Sequence, residues 1–294
     1  MNQSRRKFIQ WTGTIALGAT VAPGACKLNS GGSTSLSGKP VDLFGLQLYT
    51  LRNDLPNDLR GVDKKVASFG YRQIESYEGP SGMFWGMTPA EFSTYLGDLG
   101  MELVSSHCEI EKEFEKKVEQ AAGIGIKYLV CPSVGAQPTL DHFKRIADRF
   151  NTCGEICRKA GIRFAYHNHD YSFKIQESRL PQEVMLSNTD PSLVDFELDF
   201  YWAVTAGQDP EEWLKKYKNR FRLCHIKDRR KVPLKDNDLN SVDLGTGSID
   251  FGRVLHTAME NGMQYLLVEQ EAYPTGSALD SVKANAEYMK KIRI

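Results

Sequence analysis

Two histidines stand one residue apart in the stretch YHNHDY, residues 166–171, at the end of an apolar run. The whole chain has only six histidines. Successive side chains of a strand point to opposite faces, so His167 and His169 point the same way while Asn168 points the other way. Imidazole can bind a metal ion or carry a proton, and which of these the pair does depends on what surrounds the end of this strand.

Three later apolar runs also end in ionisable residues. Residues 193–200, 221–228 and 264–271 carry Glu197, Asp199, His225, Lys227, Asp228, Glu269 and Glu271. Several carboxylates that share a dry site require a cation. Two nitrogen and two oxygen ligands suit one Mn, Zn, Co or Fe(II) ion better than Ca or Mg, and the candidate set is His167, Asp199, His225 and Glu269. Their spacings of 32, 26 and 44 residues mean that only the fold can bring them together.

From Val41 onward, β-rich runs alternate with amphipathic helical segments. The runs are residues 43–50, 71–77, 101–107, 126–133, 162–169, 193–200, 221–228 and 264–271. Helix starts such as Thr88-Pro89 and stops such as Gly70 separate them. Eight parallel βαβ units in about 250 residues predict an α/β fold, a single-domain (β/α)8 TIM barrel, rather than an open doubly wound sheet. No G-x-G-x-x-G follows the first run, so the dinucleotide-binding fingerprint is absent.

In such a barrel the active site lies at the C-terminal ends of the strands. Polar and aromatic side chains at these ends suit the hydroxyl edges and apolar faces of a sugar ring. The predicted substrate-binding residues are Gln47, Tyr49, Glu75, His107 and Trp202. Tyr77 and Trp85 would add aromatic surface. The alternative is that the aromatic rings only fill the upper barrel.

Two further acids, Asp195 and Glu197, share the parity of Asp199 but lie deeper in the predicted strand. Arg163, on the neighbouring strand, could neutralise one of them. We therefore expect this set to be structural.

The stretch LGTGSIDF, residues 244–251, places two glycines just before a predicted helix. Amides at a helix N-terminus can hold a phosphate or carboxylate. An ordinary capped loop is the preferred interpretation, because a single G-x-G is weak evidence.

The N-terminal residues differ in character from the rest. SRRKFIQ, residues 4–10, precedes a mildly apolar stretch that is too short to span a bilayer, which resembles a twin-arginine export signal over residues 1–25. The alternative is a chance basic N-terminus. PGAC ends at Cys26 and is similar to a lipoprotein cleavage site, although Pro23 is unusual there, so lipidation of Cys26 stays open. Residues 26–40 predict a flexible Gly/Ser-rich leader, and residues 41–294 the barrel.

Charge and cysteine content exclude several classes of function. Lys plus Arg and Asp plus Glu each number 37, so the chain has no basic footprint for nucleic acid or an anionic membrane. A membrane contact would run only through a lipid at Cys26. The five later cysteines are an odd number, which argues against a disulfide scaffold and favours small buried residues.

Seven motifs together resemble the xylose isomerase-like sugar isomerase/epimerase superfamily, from about Val41 to the C-terminus. They are GLQLYTLR, SSHCE, YHNHDYSF, ELDFYWA, HIKD, GTGSIDF and VEQE. The resemblance implies a barrel enzyme with one divalent metal, held at positions matching His167, Asp199, His225 and Glu269. His167 departs from the usual Glu of the epimerases, which disfavours a symmetrical two-base epimerisation.

The resemblance also implies a chemistry. A proton is abstracted next to a carbonyl and the metal stabilises the enediolate. Glu269 is the expected base, His169 the alternative acid or base, and Lys227 a partner for a substrate oxygen, while His107 and Glu75 orient hydroxyls.

We therefore expect an exported, periplasmic enzyme that acts on a keto-sugar or keto-glycoside by isomerisation or β-elimination. Phosphorylated sugars are largely intracellular, which favours an unphosphorylated substrate. A non-catalytic carbohydrate-binding barrel is the alternative. A nucleic-acid enzyme of the endonuclease branch fits the balanced charge poorly. The sequence leaves the oligomeric state open.

Overall fold

A closed barrel of eight parallel strands forms the centre of the molecule. The computed structural model describes residues 38–236 and 239–294. The barrel strands are Gly45–Gln47 (β1), Gln73–Tyr77 (β2), Glu102–His107 (β3), Tyr128–Cys131 (β4), Arg163–His167 (β5), Val194–Asp199 (β6), Phe221–Ile226 (β7) and Tyr265–Val268 (β10). Each strand pairs with its sequence neighbour among these eight, and β1 closes the barrel against β10. The predicted (β/α)8 barrel is confirmed.

Helices connect the strands on the outside. They are Leu55–Phe69 (α1), Pro89–Asp98 (α2), Phe114–Gly123 (α3), Leu140–Lys159 (α4), Pro181–Asn188 (α5), Phe200–Thr205 (α6), Pro210–Lys216 (α7), Phe251–Glu260 (α8) and Ala278–Lys291 (α9). Sequence signals begin several of them: Thr88 and Glu91 form a capping box at α2, and Ser277 and Asp280 form another at α9. None of the described helices is both long and apolar enough to cross a membrane.

Most predicted strands extend past the observed strand ends. After Gln47 the chain turns into a 3-10 helix, Leu48–Leu51, because the Gln47 side chain accepts a hydrogen bond from the Tyr49 amide. After Ile226 the chain leaves the barrel and forms a short antiparallel ribbon of Asp228–Arg229 (β8) and Ser241–Val242 (β9). These residues leave the barrel ladder and form part of its rim.

The interior of the barrel changes character along its axis. Apolar side chains fill one part of it: Val104, Tyr128, Val130, Ala165, Leu223 and Leu267. Because strand side chains alternate, the other residues of these strands pack against the surrounding helices in the larger core. Ionisable side chains occupy the remaining interior towards the C-terminal strand ends, and these form the site described below.

The first described residues pair with the C-terminal residues. Lys39 and Ile294 exchange two backbone hydrogen bonds, at 2.9 and 3.0 Å, and Pro40 bridges Arg293. Residues 38–40 therefore lie in the folded unit, directly before the predicted start of the barrel at Val41. The rest of the predicted leader, the predicted export signal and Cys26 lie outside the described residues. All five described cysteines are buried and free, as predicted.

Asp63, on α1, is a buried acid far from the predicted site. It is fully buried. Burial raises its pKa from 3.8 to about 7, and the neighbouring Tyr95 hydroxyl opposes this only in part. The unfolded chain therefore releases this proton near pH 4, whereas the folded chain keeps it until about pH 7.

We expect this difference to make stability depend on pH. Because the folded pKa is raised, the free energy of unfolding falls as pH rises between about 4 and 7. Asp63→Asn removes the buried charge, so this variant should be more stable than the parent at pH 8, by roughly 1 to 3 kcal/mol, with no such gain at pH 4. Urea unfolding at both pH values measures this, with exposed Asp98→Asn as the control. The same pH dependence in parent and Asp63→Asn would contradict it.

Candidate functional site

Strand β6 places three acids at successive levels inside the barrel, since Asp195, Glu197 and Asp199 alternate with outward residues. Asp195 lies deepest. Its Oδ2 accepts hydrogen bonds from Arg163 Nε and from the Tyr128 hydroxyl, both at 2.8 Å. The predicted neutralisation by Arg163 thus applies to Asp195, and this pair is structural.

Glu197 occupies the middle level and has different partners. Its Oε2 lies 2.8 Å from His107 Nε2 and 3.3 Å from His225 Nε2. Glu75 Oε1 faces the same two nitrogens at 3.3 and 2.8 Å. Of the two acids that were expected to form one structural set, only Asp195 is thus bonded to Arg163 within the described residues. Glu197 belongs to the ionisable cluster, because at its level the neighbouring strands present histidines and not arginine.

The four candidate metal ligands meet at the top level. One ligand atom from each of His167, Asp199, His225 and Glu269 lies within 4.8 Å of the others, and all four residues are buried. His225 Nδ1 is 3.1 Å from Glu269 Oε2 and 3.7 Å from Asp199 Oδ2, and His167 Nε2 is 3.5 Å from Asp199 Oδ2. The barrel therefore brings together residues that are far apart in sequence.

The hydrogen bonds of His167 and Asp199 orient unpartnered atoms towards this cluster. His167 Nδ1 lies 3.0 Å from the Pro132 carbonyl. A carbonyl can only accept, so Nδ1 carries the proton and Nε2 presents a lone pair. His167 Nε2 and Asp199 Oδ2 are buried, and neither has a hydrogen-bond partner within residues 38–236 and 239–294. Two unpartnered acceptors beside each other fit a bound cation.

His225 is held between two sets of carboxylates. Its Nε2 faces Glu75 at 2.8 Å and its Nδ1 faces Glu269. Burial alone would lower its pKa, but Glu197 and Glu269 outweigh burial and raise that pKa well above its usual value. A carboxylate behind a histidine is the arrangement that orients metal-binding imidazoles in proteins. Glu75 can therefore orient His225, with Nδ1 directed at the candidate metal.

Lys227 is a fully buried cation next to the same cluster. Its Nζ lies 3.3 Å from Glu269 Oε2, bonds Glu271, and stands over the rings of Tyr201 and Trp202 at 4.9 and 5.0 Å. Burial alone would raise the pKa of Glu269, but Lys227 and His225 lower it well below its usual range. Burial opposes the charged form of Lys227 too, and the neighbouring acids nevertheless raise its pKa.

A cavity of about 900 Å³ opens above the cluster. Its wall includes the predicted residues Tyr49, His107, His167, His169, Trp202 and Glu269, and also Tyr77. Trp85 packs edge-to-face behind Tyr77, with ring centroids 5.3 Å apart.

Three residues that were predicted to contact the substrate lie behind this wall. Gln47, Glu75 and Lys227 are fully buried and do not border the cavity in the described part of the chain. Gln47 Nε2 donates to Glu75 Oε1 at 2.7 Å, and the Gln47 oxygen accepts from the Tyr49 amide. This differs from the expectation of direct substrate contact, because these side chains are buried and Gln47, Lys227 and Oε1 of Glu75 already bond other protein groups.

His169 lies at the cavity wall next to His167. Its ring stacks on Tyr171, with centroids 5.7 Å apart and an interplanar angle of 6°, and packs against Trp202 at 5.3 Å. Burial, and secondarily His167, lowers the pKa of His169 to about 3, so the ring is neutral. Nδ1 has no hydrogen-bond partner in the described structure. The neutral ring therefore carries one N–H and one lone pair.

Sequence reasoning missed three features of the site. Asn168, which points away from the histidines, joins β5 to β6 through both the amide and the carbonyl of Asp199, at 3.1 and 3.3 Å. Glu271 borders the cavity and bonds Lys227. Its position two residues after Glu269 was a usable signal. One face of α4 also lines the cavity, which strand ends alone could not reveal.

The backbone amides of the glycine-rich loop after β9 already bind a carboxylate of the chain itself. The Asp228 carboxylate accepts from the amides of Gly245, Gly247 and Ile249, at 2.9, 2.9 and 3.2 Å. The ordinary-loop interpretation therefore holds here, since these amides bond a side chain of the chain itself.

The profile of the xylose isomerase-like TIM barrel family matches residues 64–292. The chain belongs to this family. An inosose dehydratase of Clostridium perfringens is 28% identical over 260 residues, which cover 79% of this chain and 80% of that protein. The crystal structure of a sugar phosphate isomerase/epimerase from Parabacteroides distasonis is similar with a TM-score of 0.72 and 31% identity, over 87% of this chain and 95% of that one.

A structure of the IolI protein with a bound zinc atom shares the fold, with a TM-score of 0.66 at 16% identity, over 83% of this chain and 95% of that chain.

Metal content tests this cluster. The purified barrel should bind about one equivalent of Mn, Zn, Co or Fe, as two nitrogen and two oxygen ligands favour these ions. Asp199→Ala should bind at least about 100-fold more weakly, since it removes a ligand that has an unpartnered oxygen. Elemental analysis after dialysis measures this.

Asp195→Asn is the matched control, because it changes an acid on the same strand that pairs with Arg163 instead. It should retain the metal. Equal metal content in the parent and Asp199→Ala, or none in the parent after incubation with these ions, would make the cluster a hydrogen-bonded rim.

Proposed function

We propose that this chain is a divalent-metal-dependent enzyme that abstracts a proton next to the carbonyl of a keto-sugar or keto-glycoside. The products arise by isomerisation or β-elimination. The observation that carries the proposal is the buried two-histidine, two-carboxylate cluster with unpartnered atoms at His167 and Asp199, directly below a large cavity. The inosose dehydratase relative and the isomerase/epimerase neighbour support carbohydrate chemistry.

His167, Asp199, His225 and Glu269 would hold the metal. When bound, the ion supplies positive charge to the oxygens of the substrate as negative charge develops on them. Glu75 orients His225 from behind, and Asn168 fixes the backbone of Asp199.

Glu269 is the candidate base. It is the carboxylate that belongs to the ligand cluster and also borders the cavity. Lys227 contacts the same oxygen as His225, so the charge of Glu269 is balanced within the protein. His169, whose ring faces the pocket beside Trp202, is the candidate for returning the proton.

The presence of His167 where epimerases usually carry Glu favours reactions that need one base. In isomerisation the proton returns to the neighbouring carbon. In elimination the C–H electron pair becomes a carbon–carbon double bond, the bond to the oxygen substituent on the next carbon breaks, and that oxygen leaves with a proton. Both outcomes begin with the same proton abstraction.

Aromatic rings would bind the sugar. Tyr49 and Tyr77 meet edge-to-face with centroids 5.2 Å apart, and Trp202 faces the cavity from the end of β6. Such surfaces match the C–H faces of a sugar ring, while His107 can bond hydroxyls.

Two observations support an unphosphorylated substrate. The amides of Gly245, Gly247 and Ile249 already bond Asp228, so this loop does not offer them to a phosphate. The N-terminal sequence also resembles an export signal, and phosphorylated sugars are largely intracellular.

Export is part of the proposal. Replacing both Arg5 and Arg6 by Lys should retain the protein in the cytoplasm, because twin-arginine signals need the arginine pair. Cell fractionation of the full chain measures this, with Lys7→Arg as the charge-matched control. Unchanged periplasmic recovery of the paired variant would contradict twin-arginine export without affecting the proposed chemistry.

Deuterium uptake tests the proposed chemistry. The metal-loaded parent should exchange the proton next to the carbonyl of a keto-glucoside with solvent D2O, as seen by NMR. Glu269→Gln cannot accept a proton, so its rate should fall by about 10² to 10⁴.

Metal content is measured on the same samples, so loss of the ion and loss of the base are distinguished. Glu102→Gln, exposed at the start of β3, is the control and should match the parent. If the metal-loaded parent binds keto-sugars but does not exchange the proton, the alternative function, a non-catalytic carbohydrate-binding barrel, is favoured.

A further inference from the structure

The cavity is much larger than one sugar ring. A hexose has twelve non-hydrogen atoms and occupies roughly 200 Å³ at the density of a protein interior, whereas the cavity measures about 900 Å³. A monosaccharide at the candidate metal cluster would therefore leave most of the space unfilled. The remaining space needs an occupant if the pocket is to bury its substrate, as small-molecule sites usually do.

The cavity extends from the strand ends to the outer ring of helices. His142, Arg145, Ile146 and Arg149 all line it, at a spacing of three, one and three residues. This spacing places them on one face of α4, in its first three turns. We call the part of the cavity beside these residues the outer arm.

Contacts between loops fix the opposite wall of the outer arm. Arg149 donates to the Ile110 carbonyl and lies 3.6 Å from Glu111, which ties the loop after β3 to α4. Lys117 binds Glu78 at 2.8 Å and the Glu109 carbonyl at 2.8 Å. These bonds hold in place the loops that form the outer arm.

The side chains that line the outer arm are suited to contact a ring of the ligand. Ile110, Val134 and Ile146 supply apolar surface. Arg145 is exposed and makes no hydrogen bond or ion pair within the described residues, so its planar guanidinium is available to stack on a ligand. The acids of the wall, by contrast, are engaged by Lys117 and Arg149.

We infer that the outer arm binds a ring-bearing group on the anomeric oxygen of the substrate, so that the enzyme prefers keto-glycosides that carry such a group to keto-glycosides with a small one. This inference rests on the proposed function. The keto-sugar ring lies at the candidate metal cluster, and its substituent reaches towards α4. An aromatic ring and a second sugar ring share the required shape, and the experiment separates them.

The experiment compares three keto-glucosides that carry methyl, phenyl or glucosyl on the anomeric oxygen. The metal-loaded parent should show a kcat/KM about 10- to 100-fold higher for phenyl or glucosyl than for methyl. The preferred member of that pair identifies the ring type. Ile146→Trp fills the outer arm and should reduce this preference at least about tenfold.

Asp148→Trp, on the exposed side of α4, is the size-matched control and should keep the preference of the parent. Arg145→Ala changes the same surface at an exposed position, where a substitution does not endanger folding. It should raise KM for the ring-bearing substrate and so lower the preference for that substrate over the methyl keto-glucoside.

Equal kcat/KM values for all three substrates in the parent would overturn the inference and leave the proposed function standing. The inference also fails if Ile146→Trp and Arg145→Ala both keep the preference of the parent. No deuterium uptake from any of the three substrates would count against the proposed function itself.

Discussion

Burial of carboxylates inside a closed barrel is the constraint on which this structure depends. Glu75, Glu197, Asp199 and Glu269 are all nearly or fully buried. An isolated buried carboxylate is unstable, so each must have a partner. The eight-stranded closure supplies those partners from strands that are distant in sequence, and the same closure brings the candidate ligands together.

The partners are ordered by level along the barrel. Asp195 pairs with Arg163 at the deepest level, and this pair leaves nothing for chemistry. At the middle level, Glu75 and Glu197 share His107 and His225. At the top, unpartnered atoms remain at His167 and Asp199, because there the strands end and the cavity begins. The unpartnered atoms of His167 and Asp199 thus lie next to the cavity, whereas Glu75 Oε2 and Glu197 Oε1 are unpartnered one level deeper within the described residues.

Different parts of the rim have different physical roles. The loop after β9 is a closed unit around Asp228, so its glycines allow close approach of the backbone to a carboxylate, and a side chain at Gly247 would collide with Asp228. The outer arm beside α4 is held open by Arg149 and the loop after β3. The candidate metal ligands and the outer arm therefore come from different layers of the barrel, the strands for the first and α4 with the loop after β3 for the second.

The sequence by itself determined the eight strands, the parity of their inward residues and the composition of the candidate metal set, because these follow from local periodicity and from the residue types at strand ends. The sequence could not distinguish the environment of Glu197 from that of Asp195. Both side chains point to the same side of the strand, and only their neighbours on the adjacent strands differ. The sequence also could not show that Gln47, Glu75 and Lys227 lie behind the wall, or that α4 borders the cavity. Those facts are distances between segments remote in sequence, and only the closure of the barrel and the packing of its helices decide such distances.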